Sequence, residues 1–124
     1  MIAYTMLGTN DFQRASEFYD ALLAEIGGRR GLELEGVTLY AGAEGTPFFG
    51  ICKPFDGNGA TVGNGVMVSL AADGPEAVER LHARALELGA RDDGAPGPRS
   101  RSGFDFFAGY FRDPDGNKLN FFCM

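Results

Sequence analysis

The chain has 124 residues, 44% hydrophobic and 23% charged, which is the composition of a globular domain large enough to bury its own core. Its formal net charge is -6, and its eleven lysines and arginines are scattered or confined to short pairs. The sequence therefore has no basic stripe of the kind that binds nucleic acids. No apolar run approaches the roughly 20 residues of a membrane-spanning helix, and residues 1–7 include no basic leader. We therefore expect a cytoplasmic protein without nucleic-acid or membrane partners.

The first half of the chain predicts a strand, a helix and three further strands. Residues 1–7 are rich in strand-forming side chains, and Asn10 is placed to cap a helix over residues 11–26. Within that helix, apolar side chains recur at spacings of three and four: Phe12, Ala15, Phe18, Leu22, Leu23 and Ile26. Gly27 and Gly28 end the helix, and short strands are predicted at residues 31–35, 37–42 and 46–52.

The second half predicts the same order of elements after a glycine-rich linker at residues 53–64. A strand at residues 65–72 precedes Asp73, which is placed to cap a helix with the apolar stripe Val78, Leu81, Ala85 and Leu88. A weakly signalled strand at residues 90–93 leads into a predicted loop, rich in glycine and proline, at residues 94–103. The elements that follow are a strand at 104–112, a turn at 113–116 and a final strand at 118–123.

The two halves are similar to each other when the first is shifted by 63 positions. Leu7 then meets Leu70, Asn10 meets Asp73, and Phe18 meets Leu81. This repeat predicts an α+β fold of two βαβββ units, at about residues 1–52 and 65–124 of a single domain. One helix in each unit would cover one face of its four strands and leave the other face open. We expect the two units to form a curled mixed β-sheet around a cleft, where function should be sought.

The segment Gly-Tyr-Phe-Arg-Asp-Pro-Asp-Gly-Asn-Lys-Leu-Asn at residues 109–120 resembles a characteristic segment of one known superfamily. Together with the repeat and the pattern of residues 2–23, it identifies the chain as similar to the glyoxalase, bleomycin-resistance and extradiol-dioxygenase proteins, also called vicinal oxygen chelate proteins. The resemblance covers essentially the whole chain. It implies the fold of that superfamily and a homodimer.

The resemblance also implies where a divalent metal ion would be held. In the superfamily the ligands, commonly His, His and Glu, project from the first strand of each unit and from the last strand. The matching positions carry Tyr4, Met67 and Asn120, and the first two are related by the 63-residue shift. A phenol, a thioether and a neutral amide are poor ligands for such an ion, so we predict no metal and no other cofactor.

Strand alternation adds further residues to the predicted cleft. Lys118 and Phe122 share a face with Asn120, and Tyr110 precedes the hairpin turn. Arg99, in the predicted loop, is placed to present its guanidinium to an anionic group. We expect Arg112 to pair with Asp113 or Asp115.

The remaining chemically distinctive residues carry no motif. His82, the only histidine, lies on the second predicted helix, where we expect a half-exposed side chain without a functional role. Cys52 and Cys123 form no Cys-x-x-Cys pair and have no histidine beside them, so we expect two buried, reduced thiols.

These residues favour a metal-independent protein that binds a small, partly apolar organic molecule in the cleft between the two units. The alternative is a metal-dependent lyase or isomerase resembling glyoxalase I, that is, lactoylglutathione lyase-like, or a dioxygenase. The sequence leaves open whether the protein is an enzyme, because fold analogy alone does not determine a reaction.

Overall fold

Each half of the chain folds as one helix on a four-stranded sheet. The computed structural model describes residues 1–124 and divides them into unit one, Met1–Val62, and unit two, Gly63–Met124. The strand order is β1-β4-β3-β2 in unit one and β5-β8-β7-β6 in unit two, so the same topology occurs twice. In each sheet the first strand runs parallel to its neighbour and the other pairs are antiparallel. The predicted α+β class and the two βαβββ units are confirmed.

Unit one consists of β1 (Tyr4–Gly8), α1 (Phe12–Ala24), β2 (Arg29–Leu34), β3 (Val37–Ala41) and β4 (Phe48–Cys52). The cap of α1 is Asp11, whose side chain accepts a hydrogen bond from the Arg14 amide at 3.0 Å. The prediction that Asn10 caps this helix is wrong. Its amide group instead bonds the backbone of Ala60, at 2.7 Å to the N–H and 3.0 Å to the carbonyl oxygen, and so fastens the linker to unit one.

The apolar stripe of α1 packs on one face of the unit-one sheet. Tyr19 is fully buried, and its ring centroid lies 4.8 Å from that of Phe49 on β4. Because side chains alternate along strands, the opposite face is left uncovered. Tyr4 and Phe48, directly opposite each other on β1 and β4, are 52% and 42% exposed on that face.

Unit two consists of β5 (Val68–Ala71), α2 (Pro75–Glu87), β6 (Arg91–Arg101), β7 (Phe104–Arg112) and β8 (Lys118–Cys123). The prediction that Asp73 caps α2 is wrong. Gly74 holds the cap position without any side-chain bond, and Pro75 begins the helix. Proline suits the first helical position because its fixed φ is helical and an N–H there would have no partner within the helix.

The prediction of a loop at residues 94–103 is wrong for residues 94–101, which belong to β6, the edge strand of the unit-two sheet. Irregularities in its pairing with β7 occur between Asp92 and Gly94 and between Gly94 and Gly97. Glycine and proline are tolerated at sheet edges and bulges, which explains how so irregular a sequence forms a strand. The strand ends at a two-residue turn, in which Ser102 and Gly103 have φ of 51° and 80°.

The core of unit two lies between α2 and the three strands β6, β7 and β8. Phe111 and Phe121 are fully buried there, with their rings stacked at 5.5 Å. His82 belongs to this core: it is 5% exposed, so the prediction of a half-exposed side chain is wrong. Its Nε2 lies 3.1 Å from Asp92 Oδ1 and 3.0 Å from the Tyr110 carbonyl oxygen, which connects α2 to both β6 and β7.

Both cysteines are free thiols. Cys123 is buried as predicted, whereas Cys52 is only partly buried, and burial raises the pKa of the Cys52 thiol. Neither α1 nor α2 has the length and apolarity to span a membrane.

Candidate functional site

A cavity of about 520 Å³ lies on the open face of the unit-two sheet. The side chains that pack toward α2, such as Phe111, Leu119 and Phe121, point to the other face, so α2 does not cover the cavity. Its volume is within the range of small-molecule sites. We call it the unit-two cavity; it is lined by Met67, Ser69, Arg101, Ser102, Phe104, Phe106, Tyr110, Asn120 and Phe122.

A row of three polar side chains crosses this face. Ser69 on β5 is the register partner of Asn120 on β8, and Asn120 is in turn the partner of Tyr110 on β7. Partners directly opposite in neighbouring strands point to the same face, which is why three strands contribute to one site. Gly94 ends the row on β6, where a Cβ would lie 3.2 Å from the Tyr110 ring.

Three phenylalanines form an aromatic wall beside the polar row. The ring centroids of Phe104 and Phe106 are 5.7 Å apart, and those of Phe106 and Phe122 are 5.4 Å apart, with interplanar angles of 36° and 35°. Phe104 is 51% exposed and Met67, also in the lining, is 42% exposed. This much uncovered apolar surface is available to a ligand.

Asn120 is the most unusual residue of the site. It is 2% exposed, and its Oδ1 is buried without a hydrogen-bond partner. A buried polar group without a partner costs about 1–3 kcal/mol, and native proteins contain few of them. Because an amide offers both an acceptor and a donor, a ligand bearing either complementary group would satisfy Asn120.

Two cations flank the ring of Tyr110. The Arg99 guanidinium carbon and the Lys118 Nζ lie 5.7 Å and 5.5 Å from the ring centroid, within the range of cation–π contacts. Lys118 also approaches Asp93 at 3.6 Å, and Arg112 pairs with the same carboxylate at 2.9 Å. Although desolvation of the Asp93 carboxylate opposes its charge, the hydrogen bond from Arg112 and the charges of both cations hold its pKa below the ordinary value.

The structure brings six of the seven candidate residues together in unit two. Met67, Tyr110, Asn120 and Phe122 line the cavity. Lys118 and Arg99 are not part of the lining, and both contact the ring of Tyr110. The seventh candidate, Tyr4, lies on the open face of unit one.

Sequence reasoning missed five residues of the lining: Ser69, Arg101, Ser102, Phe104 and Phe106. Three of them, Ser69, Phe104 and Phe106, could have been found by alternation. Ser69 is two residues from Met67, and the two phenylalanines are an even number of residues from Tyr110. Arg101 and Ser102 could not be placed in this way, since both lie in the segment predicted to be a loop.

Comparison with known proteins shows the family of this chain. Residues 4–122 match the family model of the glyoxalase-like domain. The chain is 34% identical to a glyoxalase/bleomycin resistance protein from Albidiferax ferrireducens, with a TM-score of 0.89 over 98% of both chains. The chain therefore belongs to the glyoxalase-like domain family.

More distant structures share only the fold. A glyoxalase-related enzyme from Fulvimarina pelagi is 16% identical, with a TM-score of 0.77 over 98% of this chain and 86% of the other. A lactoylglutathione lyase from Agrobacterium tumefaciens is 19% identical, with a TM-score of 0.69 over 98% of this chain and 92% of the other. No curated protein matches the chain.

The residues at the family's metal positions do not fit a divalent ion. Met67 offers a thioether, Asn120 a neutral amide, and Tyr4 a phenol that is 52% exposed. Nowhere in residues 1–124 do three or more His, Cys, Asp or Glu side chains come together in a group that would hold a metal. No chemistry that depends on a metal can be derived from this donor set.

Proposed function

We propose that the protein binds a small, partly apolar organic molecule in the unit-two cavity, without the help of a metal ion. The observation that carries this proposal is Asn120, whose Oδ1 has no hydrogen-bond partner although the residue is 2% exposed and lines the cavity. A ligand that fills the cavity would give this amide the partner that the protein does not supply.

The aromatic wall supports the apolar part of the proposal. Covering apolar surface contributes about 25 cal/mol per Å², and the exposed faces of Phe104 and Met67 offer such surface next to the polar row. The lining includes no carboxylate, imidazole or amine, the side chains that most often act as general bases. This composition favours binding over a proton-transfer reaction.

Calorimetric titration with 2-naphthol tests the proposal, because this probe combines a flat apolar body with a single hydroxyl. We expect saturable binding to the wild-type protein and weaker binding, by about tenfold, to Asn120→Leu, in which the amide is absent. Asn58→Leu, an exposed position in the linker, is the control and should bind like the wild type. Equal affinities for all three proteins would contradict the proposal.

Metal independence needs a separate test. After dialysis, elemental analysis should find no stoichiometric Ni, Mn, Fe or Zn in the protein. The rival function, a lyase resembling glyoxalase I, predicts turnover of a glutathione hemithioacetal when one of these metals is added. Retained metal together with turnover above background would replace the binding function with the enzymatic one.

We also propose a cytoplasmic homodimer. The free thiols of Cys52 and Cys123 support a reducing compartment, and family resemblance supports the pairing of two chains. Light scattering after size exclusion should give twice the chain mass of 13.3 kDa at micromolar concentration. A mass equal to one chain would defeat the dimer.

A further inference from the structure

We infer that the ligand of the unit-two cavity is a planar aromatic or conjugated molecule carrying one carboxylate, and that Arg101 binds this carboxylate. The inference rests on the proposed function, since it assigns a chemical class to the molecule bound there. It adds two points to that function: Arg101 is a recognition residue, and the ligand carries a negative charge.

The first step is the sign of the charge around the cavity. Arg101 is the only charged residue of the lining, and no acidic side chain accompanies it. Arg99 and Lys118 add positive charge beside Tyr110, whereas the whole chain has a net charge of -6. A positive cavity on an acidic protein favours an anionic ligand over a neutral or cationic one.

The second step compares Arg101 with the neighbouring arginines. Arg99 donates to the Ala95 carbonyl oxygen at 2.7 Å and to the Pro98 carbonyl oxygen at 3.2 Å, and Arg112 pairs with Asp93. The side chain of Arg101 makes no hydrogen bond or ion pair with another protein group, and it is exposed at the cavity. Its five N–H donors therefore remain available for the two oxygens of a carboxylate.

The conformation of the Arg99 side chain explains why its guanidinium is already occupied. The guanidinium folds back over the irregular part of β6, and a Cβ on Gly97 would lie 2.9 Å from its Nη1. Glycine at position 97 thus leaves the space in which Arg99 reaches the carbonyl of Ala95. Of the two arginines, Arg101 is the one free to bind a ligand.

The third step is the position of Arg101 relative to the aromatic wall. Arg101 is the register partner of Phe104 across the two-residue turn, so its Cα is held beside the exposed ring of that residue. Ser102, in the turn, also lines the cavity and has a positive φ of 51° that is uncommon outside glycine. A guanidinium at the end of a row of rings matches a flat molecule with its charge at one end.

The test compares 2-naphthoate with 2-naphthol, which has the same ring system but is neutral at pH 7. Both are titrated calorimetrically into the wild type, Arg101→Gln and Arg91→Gln. Arg91 is the matched control, because it is an exposed arginine on the same strand that is not part of the lining. Acetate, titrated in parallel, measures the affinity that a carboxylate has without the aromatic ring.

We expect the wild type to bind 2-naphthoate at least about tenfold more tightly than 2-naphthol, the effect of one charge-assisted hydrogen bond. Arg101→Gln should remove this preference, while Arg91→Gln keeps it. Added salt should weaken only the binding of 2-naphthoate.

Two failures can be told apart. If both naphthalenes bind the wild type equally, or if Arg101→Gln keeps the preference, the inferred class is wrong and the binding function remains. If neither binds at millimolar concentration, the proposed function itself fails, and the inference fails with it.

Discussion

Tyr110 and Asn120 lie directly opposite each other on β7 and β8, yet no hydrogen bond joins their side chains. Ser69 flanks Asn120 on the other side and leaves its Oδ1 equally unpartnered. Three neighbouring polar side chains that do not bond one another differ from the usual polar network, in which each group satisfies the next. This arrangement supports the proposal that a ligand supplies the hydrogen bonds of these side chains.

Asn120→Leu should stabilise the protein while weakening its binding of ligand. Leucine has a similar shape and no buried polar atom, so the free energy of unfolding should rise by about 1 kcal/mol. Urea denaturation measures the change. The control is Asn117→Leu, because the buried Asn117 bonds Asp113 through both its backbone N–H and its side chain. That variant should lose stability, and a loss of similar size at position 120 would show that Asn120 has a structural role.

His82→Phe should lower the free energy of unfolding by about 1–3 kcal/mol. The ring of phenylalanine fills the site but leaves the Tyr110 carbonyl and the Asp92 carboxylate without the Nε2–H donor that both share. Denaturation by urea measures the loss, with Glu79→Gln on the exposed face of α2 as the control. An unchanged midpoint for His82→Phe would mean that the bond between α2 and the two strands contributes nothing net.

Asp20→Asn should destabilise the protein in a manner that depends on pH. The hydrogen bond from Arg30, followed by that from Tyr40, holds the pKa of Asp20 below its ordinary value despite partial burial. Because the pKa of Asp20 is lower in the folded than in the unfolded protein, the ionised carboxylate stabilises the folded state at pH values above the unfolded pKa of about 3.9. This contribution disappears as the pH falls through the pKa of the folded state.

The loss in Asp20→Asn should therefore be present at pH 7 and shrink below about pH 4. It should remain under about 1 kcal/mol, because both members of the Asp20–Arg30 pair are more than one-third exposed. Glu44→Gln, at an exposed position, is the control for the change of charge. A loss that stays constant from pH 7 to pH 3 would rule out the ion pair as its cause.

The sequence predicted the fold through its repeat, and it failed where tertiary contacts overrode local patterns. Alternation and helical spacing depend only on neighbouring residues, so they located the buried stripes of α1 and α2. Residues 94–101 belong to a strand because β7 offers an edge to pair with, which no local signal reveals. His82 is buried for the same reason, since its partners, Asp92 and the Tyr110 carbonyl, come from β6 and β7.

The candidate site was predicted in the same uneven way. Asn120 and Met67 followed from the superfamily resemblance, with the 63-residue repeat supporting the position of Met67, and Phe122 followed from alternation. Arg101 was missed because its place beside Phe104 depends on the two-residue turn, which was hidden within the predicted loop. Whether Asn120 has a hydrogen-bond partner depends on the side-chain conformations of Ser69 and Tyr110 on the neighbouring strands, which the sequence does not reveal.

Gly94→Ala should reduce both stability and ligand binding. Gly94 has a φ of 148°, which side-chain-bearing residues rarely adopt, and a Cβ there would lie 3.2 Å from Cδ2 and 3.4 Å from Cβ of Tyr110. The added methyl group therefore strains the backbone and pushes the Tyr110 ring out of its place in the polar row. We expect a loss of more than about 1 kcal/mol in the free energy of unfolding and weaker binding of 2-naphthol.

The control for this change is Gly59→Ala, since a Cβ at Gly59 would make only an ordinary contact of 3.5 Å with Asn10. It should leave binding unchanged, which separates the effect of position 94 from a general effect of removing a glycine. If Gly94→Ala loses stability but binds 2-naphthol normally, the position of the Tyr110 ring does not matter to the ligand. The binding surface would then be limited to the aromatic wall, Asn120 and Arg101.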